Sequence, residues 1–101
     1  MRREIAKELE LAIQSLLPLL LKYGEGKIDH QVILLNEIIQ IINSDMEENK
    51  KDDLIKDMSR SIFPVRGGLT DFYVWDSDES IRIKINQSIS DLINKIWDLM
   101  R

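Results

Sequence analysis

Apolar side chains recur at three- and four-residue steps through the first quarter of the chain. They are Ile5, Leu9, Ala12, Ile13, Leu16, Leu17, Leu20 and Leu21. This spacing predicts an amphipathic helix with one buried face. Pro18 lies inside the pattern, lacks an amide proton and crowds the carbonyl four residues earlier, so a kink or a break is expected there. Gly24 is expected to end the helix in the left-handed conformation.

A second segment, from Asp29 to about Asn43, is apolar over too wide an arc for a single stripe. Its apolar residues are Val32, Ile33, Leu34, Leu35, Ile38, Ile39, Ile41 and Ile42. The length of this segment without a turn signal favours a helix over a strand. A helix that is apolar nearly all round is typical of a central position, so we expect the core helix of the domain here, with Asp29 as its N-cap.

The next segment, residues 43–51, is polar and rich in turn-forming residues, and it predicts a loop. Asp52 and Asp53 then place acidic side chains at the expected start of a third, short helix, where they favour the exposed amide dipoles. Pro64 is expected to end this helix, because the residue before a proline avoids the helical region.

The stretch SIFPVRGGLTDFYVW, residues 61–75, is the least repetitive part of the sequence. The pair Gly67-Gly68 permits a positive φ or a close approach of backbone. The residues from 72 to 85 have two interpretations. In the first, residues 72–75 have β composition and residues 81–85 alternate like a strand, which would make a hairpin across residues 76–80.

The competing interpretation is a last helix that begins at about Asp78. Apolar residues at helical spacing support it: Ile81, Ile85, Ile89, Leu92, Ile93, Ile96, Trp97 and Met100. Ser77 or Asp78 would supply the cap, with Glu79 in the first turn. We favour the helix. The predicted fold class is therefore all-α: one domain over residues 1–101, a small helical bundle with an irregular Gly/Pro segment before the last helix.

The chain contains no cysteine, so disulfides, a thiolate nucleophile and cysteine-bound metals are excluded. The uncharged run from Leu11 to Leu21 is too short to span a bilayer, and a cytoplasmic protein is expected. His30, beside Asp29, is the only histidine. No catalytic constellation surrounds it in the sequence, so we expect neither an enzyme nor a cofactor.

The formal net charge is −4, and no Lys/Arg stripe is present of the kind that nucleic-acid binders display. The acidic residues Asp76, Asp78 and Glu79 instead follow Tyr73 and Trp75. Aromatic side chains with adjacent charge make good protein-binding anchors. These five residues are our predicted partner-binding site, and the charge indicates a basic protein partner. Packing of Trp75 in the core is the alternative.

Two other features of the charged residues leave alternatives open. A second acidic segment, residues 45–57, is diluted by lysines, and it would be either a solvated surface or the true interface. Arg66, next to Gly67-Gly68, would hold an anion or pair with Asp71. Residues 76–87 begin like a calcium loop, but Ile81 and Gln87 stand where that loop requires glycine and glutamate, so a metal site is not expected.

The run Gly67-Gly68-Leu69-Thr70-Asp71-Phe72, followed by a helix with Asn86, Ile89 and Leu92, resembles a pattern of small helical bacterial proteins. Those proteins are met as domains of unknown function and among immunity proteins of toxin systems, including contact-dependent growth inhibition. The resemblance covers residues 61–100. It implies a cytoplasmic immunity protein that binds and neutralises a cognate basic toxin, such as a nuclease, by blocking its active site. The alternative is a non-catalytic helical adaptor or regulatory subunit, with a homodimer as one form.

Overall fold

The computed structural model describes residues 2–24, 26, 28–64, 68–69 and 72–100. It contains four α-helices in chain order: α1 (Arg3–Tyr23), α2 (Asp29–Ile42), α3 (Glu48–Ile62) and α4 (Glu79–Met100). The described residues include no β-strand. The predicted all-α fold is therefore confirmed. No helix within the described ranges combines the length and the apolar character needed to cross a membrane.

The helices form a ring in which neighbours share one apolar core. α1 packs against α2 and α4, and α3 packs against α2 and, more lightly, against α4. Residues with the most completely buried side chains come from every helix and from the segment before α4: Leu9, Ile13, Leu16, Leu20, Leu35, Ile38, Ile55, Ile62, Leu69, Ile89 and Ile96. The molecule is 47 Å long, whereas a helix the length of α4 spans about 33 Å. The helices are therefore offset along the long axis.

α1 follows its predicted pattern and runs through Pro18 without a break. The proline is exposed, so its ring lies on the solvent side of the helix. The expected left-handed Gly24 is wrong, because its φ is −75°. Gly26 carries the positive φ of this turn, at 78°. Gly24 is needed for space instead, since a Cβ there would lie 2.9 Å from Cγ1 of Ile28.

α2 is less central than its wide apolar arc predicts. Leu35 and Ile38 are fully buried, but Ile33 is 56% exposed and Ile39 is only partly buried. The reason is the ring arrangement, in which α2 packs mainly on α1 and α3 and keeps an outer face. Asp29 is the first helical residue rather than the cap, and the N-cap position is occupied by Ile28 without a side-chain capping bond.

α3 begins earlier than predicted, at Glu48 rather than at Asp52. Residues 48–51 are polar, but Glu and Lys are good helix formers, and Lys51 ties this turn to its neighbour. Its Nζ donates to the carbonyl of Ile42 at the end of α2, at 3.1 Å, and lies 3.5 Å from Glu48. The lysine thereby satisfies a terminal carbonyl of α2.

The described part of the connection between α3 and α4 packs closely near its start. Gly68 approaches the chain closely, since a Cβ there would collide with Pro64 Cδ and lie 2.7 Å from the Ile62 carbonyl oxygen. Phe63 meets Trp97 of α4 edge to face, with ring centroids 4.7 Å apart. The predicted roles of Arg66, Gly67 and Asp71 lie outside the described residues.

Replacing Ile38 by alanine is expected to lower the free energy of unfolding by about 2–4 kcal/mol, because its side chain is fully buried and would leave a cavity. Ile33→Ala on the same helix is the matched control, expected within about 0.5 kcal/mol of the parent. Urea unfolding of both variants is the measurement. Equal midpoints for Ile38→Ala and the parent would show that α2 does not contribute to the core.

Candidate partner-binding surface

Residues 72–76, which precede α4, run along that helix as an extended segment, called here the 72–76 segment. Burial alternates along it: Tyr73 is 60% exposed, Val74 is 6% exposed and Trp75 is 75% exposed. This two-residue alternation is that of a β-strand, where successive side chains point to opposite faces. The segment therefore directs Val74 into the core and both aromatic rings outward.

A side chain of α4 holds this segment in place. The amide of Asn86 accepts a hydrogen bond from the Val74 N–H at 2.8 Å and donates to the Val74 carbonyl, also at 2.8 Å. Its Nδ2 also donates to the carbonyl of Arg82, one turn earlier, at 2.9 Å. Asn86 thus pairs with Val74 as a neighbouring strand would, and its own orientation is fixed by the helix.

Arg82 forms the second contact between α4 and the segment. Its guanidinium lies over the ring of Trp75, 4.8 Å from the ring centroid. One of its nitrogens donates to the carbonyl of Asp76 at 3.2 Å. A guanidinium over a tryptophan face is attracted by the ring quadrupole. One face of the exposed Trp75 ring is therefore in contact with Arg82.

The acidic residues at the end of the segment have structural roles of their own. Asp78 caps α4, with its carboxylate accepting from the Ile81 N–H at 3.1 Å. The carboxylate of Asp76 accepts from the Asp78 N–H at 2.8 Å and forms the turn before the helix. Glu79 is the first residue of α4 and is exposed. The predicted cap at Asp78 and the predicted last helix are confirmed, and the alternative hairpin is wrong.

The first half of α4 extends beyond the apolar core. The buried residues of this helix begin only at Ile89, while Ile81 and Ile83 are 48% and 57% exposed. On one side of this half-helix, a shallow groove of about 310 Å³ lies between Tyr73 and Ile83. Eight large apolar residues are exposed in the described chain, and half of them lie within the eleven residues 73–83: Tyr73, Trp75, Ile81 and Ile83.

The five predicted site residues therefore lie on one continuous stretch of surface, called here the aromatic–acidic surface: Tyr73, Trp75, Asp76, Asp78 and Glu79. Both rings are exposed, so the alternative of Trp75 in the core is wrong. Arg82 adds one positive charge that the sequence argument overlooked. Among the described residues the three carboxylates form no ion pair with it or with any other base. The surface therefore keeps an acidic excess.

The second acidic segment, residues 45–57, has a different character. A cavity of about 520 Å³ adjoins its start, but the lining mixes both charges, including Arg3, Lys7, Glu10 and Lys51. The segment carries no aromatic residue, and Leu54 is its only large apolar residue with substantial exposure, at 40%. His30 is exposed in the first turn of α2. Nowhere in the described residues do three or more His, Asp or Glu side chains group as metal ligands would.

Sequence reasoning missed the roles of Asn86 and Arg82. Asparagine is a weak helix former whose side chain tends to bond nearby backbone, so Asn86 among isoleucines of a strongly periodic helix is a signal for a local backbone partner. The identity of that partner does not follow from sequence, because Val74 lies 12 positions away. The contact of Arg82 with the Trp75 ring depends on the same pairing of Asn86 with Val74, which brings the segment alongside α4.

Asn86→Ala is expected to lower the free energy of unfolding by about 1–3 kcal/mol, because a part-buried Val74 peptide loses its partner for both groups. The 72–76 segment should also loosen, seen as faster hydrogen exchange at the Val74 amide. Asn86→Asp keeps the acceptor for that amide but sets a carboxylate oxygen against the Val74 and Arg82 carbonyls in place of the donor, so it should destabilise the chain at least as much as alanine does. A fully protected Val74 amide in Asn86→Ala would contradict the assigned role.

Comparisons of the chain with protein-family models, with curated proteins and with solved structures found no match. The function of the aromatic–acidic surface is therefore inferred from its own residues.

Proposed function

We propose that the protein is a non-catalytic inhibitor that binds a basic protein toxin through the aromatic–acidic surface and covers the toxin's active site. The observation that carries this proposal is the exposure of Tyr73 and Trp75 on a segment that Asn86 and Arg82 hold in place. An exposed tryptophan on a backbone that is already held in place gains contact area on binding at a reduced cost in conformational entropy. Tryptophan and tyrosine dominate the energetics of protein interfaces for this reason.

The charge around the rings supports a basic partner. Asp78 and Glu79 are exposed and Asp76 is partly so, and together they flank the aromatic anchor on one side. Charged residues at the rim of an interface raise the association rate and select partners more than they add affinity. The active site of a nuclease must approach phosphates and is therefore cationic. An acidic surface is complementary to such a site in charge.

Neutralisation of a toxin, as opposed to binding of some other basic protein, is supported by the resemblance of residues 61–100 to immunity proteins. The alternative function, a homodimeric adaptor, would use the exposed apolar residues of the outer helix faces. Leu21 and Ile33 are such residues, 68% and 56% exposed. Light scattering of the purified protein separates the two proposals, because a stable dimer at micromolar concentration favours the adaptor.

The first test of the proposed function is growth rescue. We expect a toxin-domain gene immediately upstream of the gene for this chain. Its product is expressed in bacteria with and without this protein, and the parent chain should restore growth. The triple variant Asp76→Asn/Asp78→Asn/Glu79→Gln should rescue less well and associate about tenfold more slowly with the purified toxin at low salt. Asparagine and glutamine keep the capping and turn acceptors, so this variant should fold normally.

The matched control removes the same charge from the other acidic segment. Glu47→Gln/Asp53→Asn/Asp57→Asn changes exposed side chains only, and both triples raise the net charge from −4 by three units to −1. The control should associate at nearly the parent rate. If it slows association and the first triple does not, the interface lies on residues 45–57. If the parent chain fails to restore growth, toxin neutralisation is wrong.

Trp75→Ala is expected to speed dissociation of the same complex by about thirtyfold or more, as for a central interface tryptophan. The association rate should change little, because no charge is altered. Leu21→Ala, which removes an apolar side chain of similar exposure elsewhere, is the control and should leave both rates unchanged. Surface-binding kinetics measure both. An unchanged dissociation rate for Trp75→Ala would remove the ring from the interface.

A further inference from the structure

The backbone of the 72–76 segment has one occupied edge. In an extended strand the N–H and C=O of one residue point to the same edge, and those of the next residue point to the opposite edge. Both groups of Val74 bond to Asn86, and the carbonyl of Asp76 bonds to Arg82. Val74 and Asp76 thus direct backbone groups toward α4, whereas the N–H of Phe72 donates to the Leu69 carbonyl.

The same alternation places the backbone groups of Tyr73 and Trp75 on the other edge, away from α4. Neither residue has a backbone hydrogen bond within the described structure. Both residues are more than half exposed, so this edge lies at the surface of the described structure. Two N–H donors and two C=O acceptors therefore lie in strand spacing along an open edge, and unpaired groups of this kind favour pairing with another chain.

We propose that the 72–76 segment receives an extended, basic segment of the protein partner as an added β-strand, paired with the backbone groups of Tyr73 and Trp75. Strand addition of this kind takes affinity from main-chain hydrogen bonds and specificity from alternate side chains. The all-α domain can present an unpaired, strand-like edge because the Asn86 amide pairs with the backbone on the opposite edge. This inference rests on the proposed binding function and specifies how the partner is recognised.

The charges at the end of the segment select the occupant. Asp76 closes the segment and Asp78 and Glu79 come directly after it, so an added strand with lysine or arginine side chains meets three carboxylates. A second copy of this chain is a poorer occupant, because each copy has a net charge of −4 and carries the same acidic group. The exposed rings of Tyr73 and Trp75 would cover alternate side chains of the added strand.

The first measurement needs no partner. Hydrogen exchange of the full-length protein, followed by NMR, should show the Val74 amide protected and the Tyr73 and Trp75 amides exchanging rapidly. An alternating lysine–valine heptapeptide, blocked at both ends, is then added as the probe. The amides of Tyr73 and Trp75 should become protected, with an exchange rate reduced at least tenfold at saturation.

Two control peptides separate backbone pairing from charge. The same heptapeptide with every backbone amide N-methylated keeps its side chains but cannot donate along either edge, and it should bind at least about tenfold more weakly. An alternating glutamate–valine heptapeptide keeps the strand-forming pattern with the opposite charge, and it should also bind more weakly, most clearly at low salt.

The outcomes that overturn the inference are distinct from failure of the proposed function. If the lysine–valine peptide and its N-methylated form bind equally well, and neither of these two protects the Tyr73 and Trp75 amides, recognition is by side chains alone. If those amides are already protected in the free protein and more so at higher concentration, the occupant is a second copy. In both cases strand addition by a basic partner is wrong, while growth rescue and the Trp75→Ala kinetics still decide the proposed function independently. Absence of binding by the lysine–valine probe also overturns it.

Discussion

The pairing of the Asn86 amide with the backbone of Val74 is the interaction on which the surface of this protein depends. The single amide side chain of Asn86 pairs with both the N–H and the C=O of Val74, a residue whose side chain is buried. Backbone groups at such a position are costly to leave unpaired. Because Asn86 belongs to α4, the extended segment takes its position from a rigid helix. This pairing, together with the contact of Arg82 to the Asp76 carbonyl, sets the direction of the side chains from Tyr73 to Asp76.

The hydrophobic pattern predicted the helices well and their surroundings less well. Apolar spacing identified α1, α2 and α4, because the buried face of each is continuous in sequence. It failed at the start of α3, since residues 48–51 are polar and are stabilised by Lys51 on the end of α2. It also placed α2 too centrally. An isoleucine such as Ile33 adds to the apolar arc whether or not another helix packs against it. The sequence of α2 alone does not show which of its faces is packed.

For residues 72–85, the hairpin interpretation and the helix interpretation were each correct for one part of the stretch. The β composition of residues 72–75 does produce an extended conformation, and the helical spacing from Ile81 onward does produce a helix. The hairpin failed because the partner of the strand is a side chain rather than a second strand. Local propensity therefore indicated the conformation correctly, whereas the pairing depended on Asn86, which lies 12 residues from Val74.

The carboxylates of this surface combine two roles, and that combination limits how the surface can vary. Asp76 and Asp78 each accept a backbone hydrogen bond that shapes the turn into α4, and both also contribute negative charge. Lysine at either position would remove a hydrogen-bond acceptor at the helix start and also reverse the local charge. Asparagine removes the charge and keeps the acceptor, so it separates the two roles. Glu79 makes no such bond, so its charge is the most independent of the fold.

An open strand edge beside exposed aromatic rings is also a risk of self-association, and the same residues limit it. The edge is short in the described chain, since the residues that direct both backbone groups away from α4 are Tyr73 and Trp75. Three carboxylates lie directly after it, and one face of the tryptophan is covered by the guanidinium of Arg82. Short length and flanking charge are the devices by which natural proteins keep strand edges from pairing at random. They leave the edge accessible to a strand of opposite charge, so protection from aggregation and selection of a basic partner have one physical origin.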